Sequence, residues 1–138
     1  MSTELPVSPA EAARLELARG DLLRVHRALL TVERARWEKA RGPIANNSAF
    51  LQLVIADPWF EWLRPIAQLV LLIDERASDR KQPLTADEAR ELYTQARSLL
   101  TPNAGGDTFQ RLYADAVADF PEMARLAALV QARHSGSE

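Results

Sequence analysis

An all-α, single-domain bundle of five or six helices is what this sequence predicts, and three observations predict it. Helix-start signals recur along the chain, each followed by an apolar-periodic stretch and a stop signal. No segment alternates apolar and polar residues with β-branched enrichment, so no strand is expected. Apolar residues make up 47% of the 138 and charged residues 26%, the usage of a globular domain large enough to bury one core.

The elements follow in order. Ser8-Pro9-Ala10-Glu11 is a capping box with proline at the first helical position, opening a long helix that runs to Arg41 before Gly42-Pro43 stops it. Gly20-Asp21 is a place where that helix is expected to kink or split. Asn46-Asn47-Ser48 caps a short helix reaching about Ala56, and Asp57-Pro58 starts a new one over 58–78. Pro65, seven residues in, removes a hydrogen bond and predicts a bend in this central helix. Thr85-Ala86-Asp87-Glu88 is a second capping box, for a helix that ends at Pro102 and Gly105-Gly106. Asp119-Phe120-Pro121-Glu122 reads as a third, separating a helix over 108–119 from the last one. Residues 1–138 form one domain, with 1–7 and 135–138 expected to fray.

Composition removes several function classes. The chain has no cysteine, which excludes disulfides, thiolate catalysis and zinc ribbons. Its start lacks the basic and apolar regions of a signal peptide, and the uncharged run 65–73 of the central helix is too short to span a bilayer. A bacterial cytoplasmic protein with no membrane association is the expectation. Net charge is −2. Arg27, Arg34 and Arg41 recur at heptad spacing, but Glu38 neighbours Arg34 and Arg41 on the same face, the pattern of a solvated, self-paired surface. No nucleic-acid partner is expected. No P-loop, dinucleotide fingerprint, nucleophile elbow, His-Glu-x-x-His or EF-hand pattern is present.

Two constellations remain. On a helical wheel at about 100° per residue, Leu63, Ala67, Val70 and Asp74 fall in one line. His26 and Glu33 lie within the apolar arc of the first helix, with Arg19 at its edge. An isolated buried charge is costly. His26, Glu33, Asp74 and Arg19 are therefore expected to form a buried polar network, or, as the alternative, His26, Glu33 and Asp74 ligate a metal inside the bundle. Against the metal, no Glu-x-x-His pair exists, and no cofactor is expected.

The second constellation is Trp59, Phe60 and Trp62. With Phe50 and Leu53 these rings fill a hydrophobic corner or line a pocket whose polar groups are Glu61 and Arg64. The polar arc of the 58–78 helix holds only Glu61, Arg64, Gln68 and Glu75. A helix apolar over most of its circumference is central or covered by a partner, which predicts a homodimer.

Asp57-Pro58-Trp59-Phe60-Glu61-Trp62-Leu63-Arg64-Pro65, with Ile73-Asp74-Glu75 and Val32-Glu33-Arg34-Ala35, resembles segments of small all-helical proteobacterial proteins of uncharacterised function. The resemblance covers the central third and implies a helical fold and no activity. The sequence thus reads as a non-catalytic helical bundle, a protein-interaction or small-ligand-binding module with a second copy, another protein or a small apolar molecule as partner. A metal-dependent enzyme using His26, Glu33 and Asp74 is the alternative.

Overall fold

A computed structural model describes residues 5–135. Six α-helices and one 3₁₀ segment follow in order: α1 (Pro9–Arg41), α2 (Asn47–Ala56), the 3₁₀ segment (Pro58–Leu63), α3 (Arg64–Ser78), α4 (Ala86–Leu100), α5 (Thr108–Asp119) and α6 (Pro121–Ser135). The protein is an all-α bundle. No described helix is long and apolar enough to cross a membrane.

α1 is its axis. Its 33 residues span about 50 Å at 1.5 Å each, and α3, α4 and α6 pack along it. Leu15, Ala18, Leu22, Val25, Leu29 and Val32 form its buried stripe at helical spacing. Across from them lie Ile66, Leu69 and Ile73 of α3, Leu92, Ala96 and Leu100 of α4, Tyr113 of α5 and Met123 and Val130 of α6.

Both capping boxes expected at Ser8–Glu11 and Thr85–Glu88 are formed reciprocally, and Asn46 caps α2. The third formed box is Asp107–Gln110, at the start of α5. α1 runs through Gly20-Asp21 without a break. A single glycine weakens a helix by only about 1 kcal/mol, less than the packing on either side supplies. Gly42 ends α1 with φ 97°, a backbone conformation that side chains rarely adopt.

Pro65 does not bend a continuous 58–78 helix. It occupies the first turn of α3, where the amide it lacks would have no intrahelical partner. The expected kink takes the form of a 3₁₀-to-α change at Leu63-Arg64. A 3₁₀ turn advances about 120° per residue, so a wheel begun at Pro58 and run at about 100° enters α3 out of phase. Ile66, Leu69 and Ile73 set the buried face, Ala67 is exposed, Val70 is half-buried, and Asp74 stands at the margin.

Within the stretch 1–7, expected to fray, Leu5–Val7 are held. Val7 N–H donates to Leu84 O at 3.2 Å, Ala86 N–H donates to Leu5 O at 2.8 Å, and Pro6 and Thr85 form an isolated antiparallel bridge. The expectations for 1–4 and 136–138 lie outside the described residues.

Candidate interaction site

α2 is the element whose composition fits its position least. Residues 42–56, which include all of it, contain no Asp, Glu, Lys or Arg. Yet no residue of α2 is buried. Its side chains divide into two stripes. Ala49, Phe50, Leu53 and Val54 are half-buried against the bundle. Ser48, Leu51, Gln52, Ile55 and Ala56 are exposed at i, i+3, i+4, i+7 and i+8, the spacing of a second helix-packing face. Leu51 is 56% exposed and Ile55 59%. Sequence reasoning passed over this helix because its apolar residues were assigned to one corner; the uncharged run itself was the available signal.

Beneath the inner stripe lies an aromatic block. Trp37 meets Trp59 edge-on at 5.4 Å between ring centroids and Phe60 at 5.9 Å, and Phe50 meets Phe60 edge-on at 5.7 Å. Such offset and edge contacts are the favoured aromatic geometries. Arg34 stacks over Phe50 and Arg41 over Trp37, each at 4.8 Å. Asp57 accepts from Trp59 N–H at 2.9 Å, fixing the 3₁₀ start, and Arg64 donates to Ile55 O at 3.1 Å, satisfying a carbonyl in the last turn of α2. α2 is therefore seated firmly on one side and open on the other.

Beside it lies an open cleft of about 710 Å³, lined by Trp37, Arg41, Ile44, Gln52, Leu53 and Asp57 among others. None of Trp59, Phe60, Trp62, Glu61 and Arg64, read from the sequence as a filled corner or a pocket, lines this cleft. Trp59 and Phe60 are part of the wall behind Trp37. Trp62 turns away to pack on Phe109 at 5.5 Å. Glu61 and Arg64 are exposed and pair with each other at 3.5 Å. Three residues apart, Trp59 and Trp62 stand about 6 Å from each other along the 3₁₀ axis, and the two rings therefore meet different elements, Trp37 of α1 and Phe109 of α5.

His26, Glu33, Asp74 and Arg19 do not form one network. Glu33 is buried, but its partners are Trp59 Nε1 at 2.8 Å and Arg36 Nη1 at 3.0 Å. Asp74 accepts from Arg19, as expected, yet its side chain is 45% exposed because it sits at the edge of the α3 face. His26 is half-buried and makes no side-chain hydrogen bond among the described residues; burial holds its pKa below the usual histidine range. Among the described residues no group of three or more His, Asp or Glu side chains is placed to hold a metal ion. The bundle-core metal site built from His26, Glu33 and Asp74 is thus corrected to separate contacts.

The buried polar network lies elsewhere. Asp21 is fully buried in α1 and accepts from His134 Nε2 at 2.9 Å, from Arg133 Nε at 3.1 Å and from Arg24 Nη1 at 2.9 Å. His134 Nδ1 lies 3.0 Å from Tyr93 Oη. Burial raises the Asp21 pKa, but the hydrogen bonds from Arg133 and His134 and the Arg133 and Arg24 charges outweigh it, leaving the carboxyl below its ordinary range. Tyr113 Oη, also buried, has no hydrogen-bond partner among the described residues, and burial with the Asp21 charge pushes its pKa up. This cluster joins α1, α4 and α6. Its one sequence signal was Asp21 inside the apolar arc, which the neighbouring Gly20 disguised as a helix break.

A second apolar recess, about 390 Å³, lies between α3 and α4 over Leu69, Leu72 and Leu99. Leu71 on the outer side of α3 is 59% exposed. No protein family, curated protein or solved structure matches this chain.

Proposed function

We propose that this protein is a non-catalytic, cytoplasmic protein-interaction module that works as a homodimer, with the outer stripe of α2 as its docking surface. The observation that carries the reading is a helix with no buried residue and no charge that leaves two large apolar side chains outward on one ridge. A solvated surface helix ordinarily presents charged and polar side chains outward. Here the outward residues include Leu51 and Ile55. Covering them removes apolar surface from water at about 25 cal/mol per Å².

The aromatic block supports the same reading. It holds α2 rigidly from beneath, so little ordering cost falls on the binding step. Leu71 and Leu72 on α3 are exposed as well. Sedimentation velocity on the full chain, from low to high micromolar concentration, tests the proposal. Association that rises with concentration is expected, and a strict monomer throughout would overturn it.

A further inference from the structure

Granting self-association, we infer that the two copies meet through α2 in an antiparallel, two-fold arrangement in which Leu51 of one copy packs against Ile55 of the second copy. The inference rests on the interaction reading above and adds its surface, its symmetry and its register.

Three features point to a second copy. First, a two-fold contact brings the same helix against itself, so any charge on the face meets a like charge. Residues 42–56 carry none, so the residues of α2 themselves bring no like charges together across such a contact. A partner chosen by charge would find nothing on this helix to grip. Second, Leu51 and Ile55 stand one turn apart on a single ridge, both more than half exposed. Placing the two-fold axis level with the turn between them sets each leucine beside the other copy's isoleucine and makes that contact twice. Ser48 and Ala56, exposed at the two ends of the stripe, are small and let the helices approach. Third, antiparallel pairing sets the positive N-terminus of one α2 beside the negative C-terminus of the other, whereas parallel pairing aligns like ends.

The ten residues of α2 extend about 15 Å. That face alone is smaller than the roughly 800 Å² per partner of a standard interface, so a dissociation constant in the micromolar range is expected.

The test uses the full chain and two charged variants, Leu51→Glu and Ile55→Lys. Both side chains are exposed, so circular dichroism and thermal melting should match the wild type. The wild type should dimerise in sedimentation velocity, and each variant alone should weaken dimerisation at least tenfold. An equimolar mixture should regain the dimer, because the proposed register sets the carboxylate introduced by Leu51→Glu in one copy beside the ammonium introduced by Ile55→Lys in the other. A wild type that dimerises while Leu51→Glu dimerises equally well overturns this face and leaves self-association standing. Variants that are monomeric both alone and mixed overturn the register. A wild type that stays monomeric at high micromolar concentration overturns both this inference and the homodimer beneath it.

Discussion

Trp59 donates its indole N–H to Glu33 at 2.8 Å, tying the 3₁₀ segment to α1 across 26 residues of sequence. The carboxylate's other oxygen takes Arg36 at 3.0 Å. A buried acid on an apolar stripe is thus used to fix the position of an aromatic ring, which in turn braces Trp37 under α2. Trp59→Phe keeps most of the ring and leaves one buried oxygen unsatisfied. Urea unfolding should show a loss of about 1–3 kcal/mol. A loss below about 0.5 kcal/mol, the range of neutral surface changes, would mean that water replaces the indole without cost.

Asp21 and Asp74 make similar-looking ion pairs, and burial separates their consequences. Asp21→Ala removes the common acceptor of Arg24, Arg133 and His134. The expected destabilisation is about 3–5 kcal/mol, the scale of broken buried pairs. Asp74→Ala breaks a pair whose two side chains are 29% and 45% exposed, and about 1 kcal/mol or less is expected. Denaturation midpoints of the two variants, side by side, provide the check; equal losses would contradict the assignment.

Stability should fall in acid in two stages. His26 titrates lower in the fold than the usual value, through burial. The unfolded chain therefore takes up this proton first, and stability declines as pH falls below about 6.5. The carboxylates act lower. Asp21 is depressed as described, and Glu88 is held at about 2 by Arg76 and by the Thr85 backbone N–H of its capping box. Their contributions are complete above the unfolded values near about 4 and are lost as pH drops through the folded ones. His26→Gln should flatten the slope between about pH 7 and 5 and leave the acid limb below about pH 4 in place. An unchanged upper slope would show that His26 is not its source.

Two glycines should respond to alanine in opposite directions. Gly42 has φ 97° and ψ 170°, and beyond its chain neighbours no described residue stands within 4 Å of where an alanine methyl would lie. Only backbone strain opposes Gly42→Ala, and about 1–3 kcal/mol of destabilisation is expected. Gly20 lies inside α1, where alanine is favoured by roughly 1 kcal/mol. The nearest atom to its added methyl is Arg24 Nη1, at 3.2 Å, on a half-exposed side chain that need shift only a few tenths of an ångström while keeping its hydrogen bond to Asp21. Gly20→Ala should raise the melting temperature and Gly42→Ala should lower it.

Trp62 offers a control for the α2 surface. It packs on Phe109 away from the outer stripe. Trp62→Ala should cost about 2–4 kcal/mol through the cavity it leaves, while sedimentation of the still-folded variant matches the wild type. Loss of association at full stability would move the docking surface to this ring.

Much of the fold was legible in the residues themselves. Capping boxes at Ser8 and Thr85, the Asn46 cap and the Gly42 stop are local chemistry, settled within four or five residues, and all of them formed. The stripe from Leu15 to Val32 follows from the roughly 3.6-residue periodicity alone. The pattern of residues also marked Glu33 as buried and grouped Arg19 with Asp74, though it put Asp74 inside the core rather than at its edge. Tertiary structure decided the rest. Whether 58–63 coils as 3₁₀ or α sets the phase at which α3 begins, and that choice depends on how Trp59, Phe60 and Trp62 find Trp37, Phe50 and Phe109. Asp21 finds His134 from 113 residues away. No local pattern encodes that meeting, because it is fixed only when α6 docks on α1. Nor could periodicity tell which of the two apolar stripes of α2 faces inward. Phe50, Leu53 and Val54 on one side and Leu51 and Ile55 on the other make both sides partly apolar, and only the aromatic block beneath chooses the side that stays open.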